Sequence, residues 1–260
     1  MFKTKKICPA IFLSVGLFCL GDSALASESN YEINSIDELK SEIQGSVIKV
    51  DSLQDAEKKE IIENTNPEVI NQYIDLLEED LKDLDSTLID VQQDGYSSEV
   101  IHELPKSGGI VKVETSTDII SVEDNFNNIM SRAFIPNISR KFGSYQYNIV
   151  YKVENLLLPD AALGLVTYYS VGSYGLKATS CSNSGTKGSL VTDISASCKV
   201  TDDKAEKVGY DINAQGDFKI THGIGGVNAK QLYGTITSRV YWNAKGTSAQ
   251  SVNESYTADF

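Results

Sequence analysis

Apolar and polar positions alternate in short runs along residues 144–242, and glycines punctuate the runs. The clearest is SYQYNIVYKVE at 144–154. Tyr145, Tyr147, Ile149, Tyr151 and Val153 share one phase, Gln146, Asn148, Lys152 and Glu154 the other, and only Val150 breaks the pattern. A period of two sustained over this length predicts a half-buried strand, since a helix would bring every third or fourth residue to one side. LYGTITSRVYW at 232–242 repeats the pattern, with Leu232, Ile236, Val240 and Trp242 set against Tyr233, Thr235, Thr237, Arg239 and Tyr241. Between these two runs, 162–171 and 174–181 read as a hairpin about Gly172-Ser173, where glycine supplies the positive φ of a tight turn. Residues 190–200 carry Ile194, Ala196, Cys198 and Val200 in one phase. A further pair is expected at 204–212 and 215–222, with turn residues at 211–217.

The period changes before this region. Ser35-Ile36-Asp37-Glu38 is a capping box and predicts a short helix ending near Gly45. SVIKV at 46–50 reads as a brief strand or a connector, and Ser52 as the cap of a second helix over QDAEKKEIIE. The strongest helical signal is NPEVINQYIDLLEEDLKDLD. Asn66 caps it, Pro67 occupies its first position, and Val69, Ile70, Tyr73, Leu76, Leu77, Leu81 and Leu84 form an apolar stripe. Glu78, Asp80, Asp83 and Asp85 read as a solvated face toward the C-terminal end. That end disfavours carboxylates, so tertiary packing must hold the helix. After it, 96–103 and 110–114 flank the turn PKSGG and predict a hairpin. Phe126, Ile129 and Met130 have helical spacing, and Pro136 ends that segment.

The expected fold is therefore mainly β. An antiparallel β-sandwich-like domain at 144–260, with seven or eight strands, follows a small acidic α-helical region at 27–95 and a connecting hairpin and linker at 96–143, α+β overall.

The N-terminus changes the picture of compartment. Lys3, Lys5 and Lys6 precede an apolar run at 7–21, and Ala24-Leu25-Ala26 is a small-x-small site. This order predicts a secretory signal peptide at 1–26, and the run is shorter than the ~20 residues that span a membrane. Phe18 before Cys19 argues against a lipoprotein signal. No stable transmembrane segment is expected after cleavage. The whole chain carries 23 Lys and Arg against 36 Asp and Glu; removing three lysines and Asp22 leaves 20 against 35, a net charge of −15. Such a balance disfavours nucleic acid, and an anionic membrane, as an electrostatically held partner. Cys181 and Cys198 are the two cysteines left in the mature chain, and in an oxidising compartment they predict one disulfide.

Candidate chemistry adds little. His102 and His222 are the only histidines, without HExxH or a G-x-S-x-G elbow, so neither a metal site nor a cofactor is expected. Gly223-Ile224-Gly225-Gly226 lacks the lysine of a phosphate loop and reads as a turn. The strands do carry aromatic residues: Tyr168, Tyr169, Tyr233, Tyr241 and Trp242 are the candidate binding residues, offering flat amphipathic contacts to a glycan or protein surface. A non-enzymatic module for a cell-wall glycan or an extracellular protein is the leading expectation. A β-rich pore-forming toxin and a carboxylate-dependent hydrolase are the alternatives. In layout, the leader, acidic helices and glycine-punctuated strands resemble secreted proteins of Gram-positive bacteria.

Overall fold

The computed structural model describes residues 31–47, 55–84, 88–93, 97–122, 138–157, 160–187, 192–224 and 227–260; for 45–47, 55, 88–93, 187, 192, 222–224 and 227–230 the description is of the backbone alone. The expected leader, most of SVIKV, the Ser52 cap, the helical spacing at 126–130 and Gly225-Gly226 lie outside the described residues. Three helices come first: α1 (Ile36–Val47), α2 (Asp55–Asn64) and α3 (Pro67–Lys82). Twelve strands follow among the described residues: β1 (Leu88–Gln93), β2 (Ser97–Glu103), β3 (Gly109–Val122), β4 (Ile138–Lys141), β5 (Gly143–Asn155) and β6 (Ala161–Gly172), then β7 (Gly175–Lys187), β8 (Thr192–Asp202), β9 (Lys204–Ala205), β10 (Asp211–Ile224), β11 (Val227–Lys245) and β12 (Ala249–Asp259).

The strands form two antiparallel sheets packed face to face, one ordered β1-β2-β3-β5-β6-β7-β9 and the other β4-β12-β11-β10-β8. Alternation decides which side chains go between them. Tyr145, Tyr147, Ile149, Tyr151 and Val153 of β5 are buried, as are Leu232, Ile236, Val240 and Trp242 of β11. The inward phases meet where Thr167 of β6 and Ser238 of β11 share a hydrogen bond across the sandwich. Cys181 of β7 and Cys198 of β8 form a disulfide with Cα atoms 6.2 Å apart, joining one sheet to the other along one side.

Two turn expectations are corrected. Residues 211–217 are not a turn but the first half of β10, paired with β11 from Asp211↔Tyr241 and with β8 as far as Ser197. The polar Asp211, Asn213, Gln215 and Asp217 are outward strand positions, while Ile212 and Ala214 are fully buried between them. Gly216 faces the opposite sheet, where an added Cβ would meet Leu165 Cδ1 at 3.2 Å. In the hairpin between β6 and β7 the positive φ belongs to Gly175, at 108°, and Gly172 pairs with it across Ser173-Tyr174. The sheet also begins earlier than the hairpin at 96: β1 lies in the acidic stretch and pairs with β2.

The helices sit at the end of the sandwich where β3 starts and β5 finishes. Asn66 Oδ1 accepts the Glu68 amide at 3.0 Å and caps α3 as expected. Glu38 completes only half of its box: its amide donates to Ser35 Oγ, but its carboxylate accepts the amide of Asn34. Val69, Ile70, Tyr73, Ile74, Leu77 and Leu81 of α3 are buried, so Ile74 and not Leu76 belongs to the stripe. Each such side chain contributes about 1.5–3 kcal/mol on burial. Asp80 is not solvated. It is 1% exposed and accepts the Lys106 amide, the Ser107 amide and the Ser107 hydroxyl, which ties α3 to the turn between β2 and β3. The Tyr73 hydroxyl donates to the Ser107 carbonyl and lies 3.1 Å from Asn155 Oδ1, and Lys58 Nζ donates to the Asn155 carbonyl at 2.9 Å.

Candidate functional site

The five aromatic candidates do not share a surface. Trp242 and Tyr169 are 2% and 1% exposed and belong to the core. Trp242 is in phase with Val240 and Ile236, and Tyr169 with Leu165 and Leu163, so strand alternation turns both inward. Neither can touch a ligand on the outside. Tyr168 points out from β6, on the seven-stranded sheet, whereas Tyr233 and Tyr241 point out from β11, on the five-stranded sheet. Tyr168 is therefore on the opposite outer face from the other two.

What remains is the outer face of β10 and β11. Tyr233 is the most exposed large hydrophobic residue of the described chain, at 62%, and Lys219 Nζ lies 5.9 Å from its ring centroid. Its hydroxyl donates to Gln231 Oε1 at 2.8 Å. Eight residues along the same strand, Tyr241 has the Arg239 guanidinium 5.5 Å from its ring centroid. Arg239 Nε donates in turn to Asp211 Oδ2, and this contact fixes the guanidinium beside the ring. At about 3.4 Å per residue the two tyrosines stand roughly 27 Å apart on one face. A cation beside an aromatic ring contributes about 0.5–1 kcal/mol at an exposed site, which helps to orient both rings; Tyr233 stays exposed and Tyr241 is half-buried.

The ground between them is polar. Asp217 Oδ1 accepts Gln215 Nε2 at 2.6 Å and Thr235 Oγ1 at 3.2 Å. Thr237 pairs with Gln215 on one side and Thr257 on the other, and Arg239 with Asn213 and Ser255. Hydroxyl, amide and carboxylate groups thus alternate in rows across three strands. Among the described residues, no group of three or more His, Cys, Asp or Glu side chains gathers to hold a metal ion.

One constellation had no signal in the sequence. Between the sheets, Glu254 of β12 accepts Arg140 Nη2 at 2.6 Å, Arg140 Nε at 3.2 Å, Thr117 Oγ1 at 2.6 Å and the Tyr169 hydroxyl. Tyr145 stacks on Tyr169 with centroids 5.4 Å apart and lies under the Arg140 guanidinium. Burial opposes the Arg140 charge, but Glu254 and Tyr169 beside it outweigh burial and raise its pKa. Burial, then the nearby Glu254 charge, pushes Tyr169 and Tyr147 far above the ordinary phenol range. Four donors on one enclosed carboxylate tie β3, β4 and β6 to β12 inside the sandwich.

No family model, curated protein or solved structure matches this chain.

Proposed function

We propose that the chain is a non-enzymatic binding module, exported with loss of residues 1–26, that holds a linear glycan along the outer face of β10 and β11. The observation that carries this reading is the pair of outward-pointing tyrosines, exposed Tyr233 and half-buried Tyr241, on one strand and one face, each beside a cation. Flat rings take the apolar faces of sugar rings, and the Thr, Gln, Asn and Asp groups between them can exchange hydrogen bonds with sugar hydroxyls. Two rings eight residues apart on one strand suit an extended polymer better than a small molecule, which buries most of its surface in a single concave site.

The test is retention of the purified mature chain on insoluble cell-wall glycan and in gels containing soluble polysaccharides. Tyr233→Ala and Tyr241→Ala should each weaken retention about tenfold or more, as loss of an aromatic anchor does, with unfolding unchanged. Absence of retention by the unaltered chain on every glycan, or equal retention by both variants, would sink the reading. The mass of the exported chain should start at Ser27.

A further inference from the structure

Tyr233 and Tyr241 belong to one strand, and the positions between them set a length. The outward positions of β11 in that interval are Thr235, Thr237 and Arg239. Arg239 is bonded to Asp211 and lies beside the Tyr241 ring, so the interval itself carries only short threonines. Side chains stand roughly perpendicular to a sheet, and a tyrosine ring reaches well beyond a threonine methyl or hydroxyl. The rings are therefore the two ends of a strip, roughly 27 Å apart at about 3.4 Å per residue.

The middle of the strip is ordered in advance. On β10, Asp217 stands opposite Thr235 and Gln215 opposite Thr237. Asp217 Oδ1 accepts from both Gln215 Nε2 and Thr235 Oγ1, so carboxylate, amide and hydroxyl hold one another before a ligand arrives. Such ordering lowers the cost of contact. On the other flank, Thr257 and Ser255 of β12 stand opposite Thr237 and Arg239. Hydrogen-bonding groups thus run along both sides of the line that joins the rings.

A pyranose linked across its ring advances its chain by about 5 Å, the reach of the covalent bonds across one sugar. A straight chain covers the strip in about five such steps. We infer that this face measures its ligand: it selects linear polymers of β-1,4-linked pyranoses, of which about six consecutive sugars reach from Tyr233 to Tyr241. This selection rests on the glycan reading of the same face proposed above. A shorter oligosaccharide stacks on one ring only. A longer one meets the second ring intramolecularly, at an effective concentration set by the stiff chain between, and binds about tenfold or more tightly with no new kind of contact. The β-1,4 linkage keeps the sugars in a straight ribbon with apolar ring faces bared. A polymer that coils tightly or branches at every sugar cannot present two ring faces at this separation.

The probes are chito-oligosaccharides and cello-oligosaccharides of two to eight sugars, titrated calorimetrically into the purified mature chain. In at least one series, affinity should stay low to about four sugars and rise about tenfold or more between about five and seven. Tyr233→Ala and Tyr241→Ala should each remove the rise and leave the affinity for the trimer within about twofold. Tyr233→Phe and Tyr241→Phe should keep it, which separates loss of a ring from loss of fold. Thr237→Tyr sets a third ring midway and should move the rise to about four sugars. Affinity that levels off by the trimer, a rise that survives either alanine variant, or one that Thr237→Tyr does not move would overturn the measured length and leave a glycan site standing. Retention on insoluble glycan without binding to either series would do the same. A chain retained on no glycan at all would remove the proposed function, and this selection with it.

Discussion

Arg140 and Glu254 meet inside the sandwich, with side chains 1% and 4% exposed and Nη2 2.6 Å from Oε2. β4 is only four residues long, yet this contact seats it against β12. Glu254→Gln keeps the shape and removes the charge that balances the guanidinium. Breaking one side of such a buried pair costs about 3–5 kcal/mol, whereas replacing both partners with apolar residues is often close to neutral. Urea unfolding should therefore show a large loss for Glu254→Gln and a much smaller one for Arg140→Met with Glu254→Leu. Equal losses in the two would contradict a role for the uncompensated charge.

Tyr73, Tyr147 and Tyr169 give the fold an alkaline limit. Burial is the first cause of the raised pKa at all three. The folded state keeps these protons after the unfolded chain has released them, at about pH 10. Stability is thus independent of these groups below that pH and falls as pH rises above it. The slope is on the order of 1 kcal/mol per tyrosine per pH unit. Denaturant titrations from pH 8 to 11 should be flat and then descend. Stability that holds constant to pH 11 would show that these rings are reached by water.

Asp80 supports the junction between α3 and the sandwich. Asp80→Ala leaves the amides of Lys106 and Ser107 without their acceptor, at about 1–3 kcal/mol per buried group. The turn at 104–108 should become the first site of cleavage in limited proteolysis. An unchanged cleavage pattern would mean that Tyr73 and Asn155 hold the turn without it.

Strand alternation made the sandwich legible, and it carried more than aromatic chemistry did. Trp242 is in phase with Val240 and Ile236, so its burial follows from the same pattern that locates β11, and that phase outweighs the ligand-binding chemistry of an indole. β10 is obscured for the opposite reason, because Asp211, Asn213, Gln215 and Asp217 resemble turn residues unless their own period of two is counted. Asp80 lies three residues after the buried Leu77 and seven after Tyr73, on the apolar stripe, and that spacing was the hint of its burial. The Arg140–Glu254 pair had no such hint. Its partners are 114 positions apart and are joined only by strand order, which no local pattern encodes.

The disulfide ties β7 to β8, and so one sheet to the other, across the link between those two strands. Cys181 lies in one sheet and Cys198 in the other, with a sequence separation of 17. Closing a loop of this length lowers the entropy of the unfolded chain by an amount equivalent to about 3 kcal/mol at 25 °C. For a chain of this size, each kcal/mol moves the melting temperature by about 2–4 °C. Cys181→Ser with Cys198→Ser should therefore melt about 6–12 °C lower. Reductant should lower the unaltered chain by the same amount and leave the double variant unmoved. Because Gly185 of β7 packs on Ile194 of β8 beside the bridge, the two strands keep an apolar contact when it is gone. The reduced chain should then remain folded at 25 °C and unfold in one transition, so a calorimetric trace with two separated transitions would show instead that the bridge is what makes the sheets unfold together.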